Sequence, residues 1–259
     1  MVQLLGDFPQ SFVEALSEDH QDVLVVRAPE LVNENTLPQG ITKVVTVSHG
    51  MDHVDVDFLK RKGVEFHRVP VGATDVAEFC IAAAITLLRR IPVADMGDWT
   101  RPEGRRLAGK TWGLVGFGVV GKAVAEVAES LGCEVFIYDP YVEDDRAVAS
   151  LDEIAKADIV SVQVPLTEKT KGLIGADFAS KFDGVFIDVS RGGVVDTPAI
   201  LEALKQGTLF GVALDVFPEE PYPMVEAEGL NLLATPHIAS NTEDRWADAA
   251  KEVNRVVSK

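Results

Sequence analysis

Downstream of Lys110 the chain alternates short β-branched apolar runs with segments whose apolar residues recur every three or four positions. That alternation predicts a parallel sheet whose strands are joined by crossover helices. Residues 111–115, 134–138, 158–164, 185–189 and 210–214 read as buried strands. Between them, Ser150 with Glu153 forms a capping-box pattern. Thr197, Pro198 and Gly207 bracket "AILEALKQ" as N-cap, first-turn proline and C-terminal glycine.

The first hundred residues carry a second, smaller alternation. "DVLVVRA", "KVVTVSH" and "VEFHRV" read as strands, and "VDFLKRKG" as a short helix ended by Gly63, so this part needs a sheet of its own. Residues 75–90 form a long apolar helix. The charged "PVADMGDWTRPEGRRLAGK" that follows, with its glycines and prolines, reads as an interdomain linker. A last helix over 242–257 places Trp246, Ala249, Ala250 and Val253 at helical spacing and is expected to return to the first domain.

Composition narrows the class. The 259 residues are 47% hydrophobic, enough to build real cores. The longest nearly uncharged apolar stretch, 79–88, is too short to span a bilayer, and no basic region followed by an apolar run opens the chain, so a cytoplasmic protein is expected. Cys80 and Cys133 lie far apart in apolar runs and read as buried thiols; no metal site is expected. With 41 acidic against 24 basic residues the net charge is −17, a field that repels nucleic-acid phosphates and anionic membranes. Neither is an expected partner, and an anionic substrate would need a local cluster of donors.

The stretch "GLVGFGVVGKAVAE" fits two nucleotide motifs. A triphosphatase loop needs a hydroxyl after its lysine to hold magnesium, but the residue after Lys122 is Ala123. A dinucleotide fingerprint needs a strand before the glycines, a helix after them and an acid about 20 residues on. "TWGLV" precedes Gly116, Gly118 and Gly121, a helical segment follows, and Asp139 stands 18 residues beyond Gly121. A carboxylate there selects NAD over NADP, since one pair of unit charges about 4 Å apart costs roughly 4 kcal/mol at an effective dielectric near 20. The first base after Asp139 is Arg146, too far along to offset it. The expected fold class is therefore α/β with two doubly wound parallel-sheet domains. One is a Rossmann dinucleotide-binding domain over 91–237; the other is a smaller, discontinuous, flavodoxin-like substrate domain over 1–90 and 238–259. Closure around residues 90 and 237 is expected to exclude water.

Three stretches put reactive groups after strands, where open α/β sheets line their crevice. "FIDVSRGGVVD" supplies Arg191, "GVALDVFPEEP" supplies Asp215 and Glu220, and "LLATPHIAS" supplies His237. Reducing a 2-keto acid needs a cation that grips the carboxylate and polarises the carbonyl, a task for arginine. It also needs an acid that titrates near neutrality, a task for histidine, with a carboxylate to orient the ring. A serine hydrolase is disfavoured because no G-x-S-x-G occurs, and in "DVSRGG" Asp188 stands where the first glycine should be.

Taken together, "GFGVVG", "YDPY", "VPLTEKTKGLI", "DVSRGGVVD", "ALDVFPEEP" and "TPHIAS" resemble, in order and spacing, the D-isomer-specific 2-hydroxyacid dehydrogenases over nearly the whole chain. The resemblance implies an NAD-dependent oxidoreductase interconverting a small 2-keto acid and its D-2-hydroxy acid. Arg191 would bind and polarise substrate, His237 would be the acid/base, and Glu220, which precedes Pro221 as the family's glutamate does, would be its partner rather than Glu219. The cofactor would be held by Val119 and Val120 with the three glycines, by Asp139 and Pro140, by Val164, Pro165 and Thr170, and by Val189 and Asp215. Ser48, His49 and Gly50 would form the loop that holds the substrate carboxylate. A homodimer is the suggested assembly, although the 91–107 segment is compressed where relatives carry longer dimer-contacting elements. The N-terminal domain also looks short, and His49 and His53 depart from the commonest residues of that loop. The rival reading is a binding module of the same fold that senses NAD(H) and recruits protein partners.

Overall fold

The computed structural model describes residues 2–16, 20–48, 50–223 and 227–258. They form two compact units, Met1–Gly72 with Asn241–Lys259, and Ala73–Ser240.

In the first unit, β1 (Gln3–Leu5), the short helix α1 (Gln10–Glu14), β2 (Val23–Val26), β3 (Lys43–Thr46), α2 (Val56–Lys62) and β4 (Glu65–Arg68) follow one another. The strands pair in parallel in the order β1-β2-β3-β4. Side chains of a strand alternate between faces, and here both faces are covered, which is why β2 reads as an unbroken apolar run. Val23, Val25 and Val45 face a cluster containing Phe12, while Leu24, Val26 and Val44 face Phe58 and Leu59 of α2. α2 is closed at both ends. The Asp55 side chain accepts the Phe58 amide, and Gly63 takes φ 71, a left-handed turn that glycine adopts at low cost.

The second unit contains α3 (Ala73–Leu88), β5 (Thr111–Val115), α4 (Val119–Ser130), β6 (Glu134–Tyr138), α5 (Leu151–Ile154), β7 (Ile159–Val162), α6 (Ala176–Lys181), β8 (Val185–Asp188), α7 (Thr197–Lys205), β9 (Gly211–Leu214) and β10 (Leu232–Ala234). All six strands are parallel, in the order β10-β9-β8-β7-β5-β6. The direction of winding reverses beside β5. Ligands of open α/β sheets bind at such a reversal, outside the carboxyl ends of the strands.

Two details differ from the sequence reading. The cap of α7 is Asp196, whose carboxylate accepts the Ala199 amide, and Thr197 is the first helical residue. A carboxylate can accept that amide and also favour the helix N-terminus electrostatically, so it displaces the hydroxyl one position later. The unit boundaries fall at 72 and 240 rather than at 90 and 237. α3 packs on α4 and against β8 and β9, and Ala77, Cys80, Ala84 and Leu87 are buried among Leu114, Ile187 and Ala213. The "PVADMGDWTRPEGRRLAGK" stretch consequently lies inside the second unit and does not link the two.

The last helix, α8 (Glu243–Val257), belongs to the first unit as expected and is capped by the Thr242 hydroxyl accepting the Arg245 amide. Trp246, Ala249, Ala250 and Val253 are buried, and the Trp246 ring meets Phe8 and Phe12 edge-on. Fully burying one large apolar side chain stabilises by about 1.5–3 kcal/mol, so this stripe ties the chain's end firmly to its beginning. No helix among the described residues is long and apolar enough to cross a membrane.

Candidate active site

The glycine turn sits at the carboxyl end of β5. Gly116 takes φ 98, and a side chain there would press on Val164 Cγ1 at 2.7 Å. A methyl group on Gly121 would overlap the Gly116 carbonyl oxygen, so helix and strand meet as closely as they do only because neither position carries one. Gly118 has open space around it, and it precedes α4 without any side-chain cap. The first N–H groups of α4 are thus not taken by a capping side chain, which suits a pyrophosphate. Two groups fasten the turn: Gln163 Nε2 donates to the Gly116 carbonyl (2.8 Å), and the Phe117 amide donates to Asp139 Oδ2 (2.8 Å). The Tyr141 amide takes the other Asp139 oxygen at 3.0 Å, leaving the carboxylate at the end of β6 with lone pairs to spare for hydroxyl donors. The residues present fit a dinucleotide. Val164 lines the turn, the Thr170 hydroxyl donates to the Pro165 carbonyl (2.5 Å), the Val189 amide continues the sheet to Val162, and Pro140 is exposed after β6.

Arg191 lies in the turn after β8, where its Nη1 donates to the Ser190 carbonyl at 2.8 Å. The next residue, Gly192, presses against the Phe217 carbonyl so closely that no side chain fits. The Phe217 amide donates to Glu220 Oε1 (3.1 Å), and Glu220 Oε2 lies 2.9 Å from His237 Nδ1. Arginine, glutamate and histidine therefore converge through one continuous set of contacts, although 46 positions separate the first from the last. Both Glu220 and His237 are accessible, at 33% and 39% side-chain exposure. Burial raises the Glu220 carboxyl, but the His237 hydrogen bond and charge, the Phe217 amide and the Arg191 charge outweigh it and hold the group below its ordinary range.

His237 has φ 54, left-handed for a non-glycine residue, and Asp215 holds it there. The Asp215 carbonyl accepts the His237 amide (2.9 Å); its carboxylate accepts the Thr235 hydroxyl (2.7 Å) and the amides of Ile238 (2.7 Å) and Ala239 (2.9 Å). Asp215 is 1% exposed, and burial raises its carboxyl despite these donors. The structure thus shows Asp215 bracing the histidine turn.

In the first unit, the Ser48 hydroxyl accepts the Ala28 amide (2.9 Å), and the Ser48 amide donates to Thr46 Oγ1 (3.2 Å). Buried His53 hydrogen-bonds the same threonine hydroxyl (2.9 Å), and Arg245 of α8 donates to the Val47 carbonyl. This loop is anchored from three directions within its own unit. Gly50 follows it, and His49 lies outside the described residues.

Three supporting residues escaped the sequence reading: Gln163, Thr235 and Asp188. Only Asp188 left a signal, a charged residue at the end of the apolar run "VFID".

Residues 81–239 match the family profile described as D-isomer specific 2-hydroxyacid dehydrogenase, NAD binding domain. The chain is 34% identical to D-3-phosphoglycerate dehydrogenase of Bacillus subtilis over 91% of its own length and 49% of that protein's. It is 35% identical to hydroxypyruvate reductase of Thermotoga maritima, over 86% of this chain and 79% of that one. Its fold superposes on the D-lactate dehydrogenase of Aquifex aeolicus, solved with NAD and lactic acid, with a TM-score of 0.81 and 27% identity, covering 98% of this chain and 86% of that one. The chain belongs to the D-isomer specific 2-hydroxyacid dehydrogenase family, and its second unit contains that family's NAD-binding domain. It spans about half the length of the phosphoglycerate dehydrogenases of Bacillus subtilis, Methanocaldococcus jannaschii and Archaeoglobus fulgidus that it matches.

Proposed function

We propose that this chain reduces a small 2-keto acid to the D-2-hydroxy acid, or runs the reverse oxidation, with NAD(H). The observation that carries the proposal is the Glu220–His237 hydrogen bond joined, through Phe217 and Gly192, to the Arg191 turn. The bound cofactor supplies or accepts the hydride. Arg191 has a planar, permanently charged fork suited to the substrate carboxylate and to polarising the neighbouring carbonyl. With His237 Nδ1 engaged by Glu220, Nε2 is the nitrogen left to give a proton to the forming alkoxide, or to remove one in oxidation. Glu220, kept ionised by its surroundings, accepts from Nδ1 and so fixes the orientation of the ring. Asp139 is assigned to the ribose hydroxyls, which favours NAD over NADP. Relatives named glyoxylate reductase, hydroxypyruvate reductase and D-3-phosphoglycerate dehydrogenase share the reaction class but not one side chain, so the proposal stops at small 2-keto acids. The test is to mix the protein with NADH and a panel of 2-keto acids while following the absorbance of the reduced ring. Oxidation of NADH with at least one of them supports the reading; tight NADH binding with no turnover across the panel would refute it.

A further inference from the structure

Asp188 ends β8 as a fully buried residue, 0% exposed. Its two oxygens are treated unequally. Oδ1 accepts both the amide (2.9 Å) and the hydroxyl (2.5 Å) of Ser190, whereas Oδ2 is buried with no hydrogen-bond partner among the described residues. The next strand places another buried acid beside it: Asp188 is in register with Leu214, and the following residue, Asp215, donates its amide to the Asp188 carbonyl at 3.0 Å. The Asp215 carboxylate, by contrast, receives three donors spread over both oxygens. Two neighbouring buried carboxyls are not both stably ionised, and the one with more donors keeps the charge.

We infer that Asp188 works as a neutral carboxylic acid with its proton on Oδ2, a positioning residue that shapes the Arg191 turn through Ser190 while Asp215 is the charged member of the buried pair. The other charged groups facing it agree with this allocation. Burial and the Asp215 charge raise Asp188 to about 7, against the Ser190 hydrogen bonds and the charge of Arg191. From α3, Cys80 is a fully buried thiol pushed well up and hence neutral, and on β7 the paired residue is Val162, which carries no charge. His237 acts on Asp215 rather than on Asp188. A carboxylate at 188 would compete for the field of Arg191, so keeping this acid neutral reserves that guanidinium for an anionic substrate. This last consequence rests on the proposed reduction; the protonation state itself does not.

The experiment compares the wild-type chain with Asp188→Asn, a neutral isostere, by denaturant unfolding across pH. A carboxyl near 7 in the fold and near about 3.9 when unfolded takes up a proton on folding between these values, so the wild type loses stability as pH rises through that window. The stability of Asp188→Asn relative to wild type should therefore increase from about pH 4 to about pH 7 and level off above. A pH-independent difference, or one of opposite slope, would overturn the inference. Infrared spectra of the wild type labelled with 13C-aspartate provide a reading that needs no variant. A protonated carboxyl band present at pH 6 and lost above pH 8 supports the inference, and its absence at pH 6 contradicts it. In the keto acid assay, the ratio of kcat/KM for Asp188→Asn over wild type should rise with pH across the same window, and a constant or falling ratio counts against the role at Arg191. Should the wild type reduce no keto acid, the proposed function fails while the unfolding and infrared readings still decide the protonation state.

Discussion

Glu220 Oε2 and His237 Nδ1 lie 2.9 Å apart, and the other oxygen of that carboxylate accepts the Phe217 amide. One acid thus orients the imidazole and ties it to the segment against which the Arg191 turn packs. Replacing Glu220 by Gln keeps the shape and removes the charge. Losing a partner that orients a ring in this way typically costs about 10–100-fold in activity, and a loss of that order in kcat/KM is expected here. Because the Glu220 carboxyl is held below its ordinary range, its stabilising share is present above the unfolded value of about 4.3 and is lost as pH falls through the lowered one. The unfolding difference between wild type and Glu220→Gln should accordingly shrink on acidification below about pH 4. A difference that grows with acid would contradict the assignment.

Changing Arg191 to Lys preserves charge but not the bidentate fork. The expected outcome is a higher KM for the keto acid together with a lower kcat, at unchanged NADH affinity. Steady-state kinetics beside NADH fluorescence titration measure this, and kinetics matching wild type would leave Arg191 a structural residue.

Asp139, which the proposed function gives to the ribose hydroxyls, also accepts the Phe117 amide of the glycine turn. Asp139→Asn keeps an acceptor while removing the negative charge. The preference for NADH over NADPH should narrow by about tenfold or more, a fraction of the roughly 4 kcal/mol that an unscreened pair of charges contributes. Asp139→Ala removes the acceptor as well, so weaker binding of both cofactors is expected, and binding constants for the two variants separate these roles.

The two glycines differ in what a methyl group should do to stability. Gly121→Ala drives a methyl into the Gly116 carbonyl, and overpacking of that kind costs about 1–3 kcal/mol, so the melting temperature should fall along with NADH affinity. Gly118→Ala meets open space at φ −72, an ordinary angle for alanine. Stability should hold while NADH binding weakens, because only the approach of a ligand is obstructed. Equal effects from both substitutions would argue against a phosphate over Gly118.

The alternation of apolar runs located β5 and β6 to the residue, since β-branched strands buried on both faces leave a continuous signal. It passed over β1, whose three partly buried residues carry no period, and it placed the unit boundary 18 residues late. α3 is apolar enough to pack anywhere, and only the contacts it finds decide its unit. At the site, Arg191, Glu220 and His237 were legible because each follows a strand within a recognisable motif. Gln163 and Thr235 were not, because their work is to hydrogen-bond groups brought close by folding, and Asp188 showed only as a charge ending an apolar run.

If His237 moves the proton in an NAD-dependent reduction, Asn is the substitution that reveals it, because asparagine tolerates the left-handed backbone found at that position. NADH oxidation with the best keto acid of the panel and NADH affinity should be measured on the same samples of wild type and His237→Asn. NADH affinity should match while turnover falls by about 10² or more in the variant. Turnover close to wild type would contradict that role for His237.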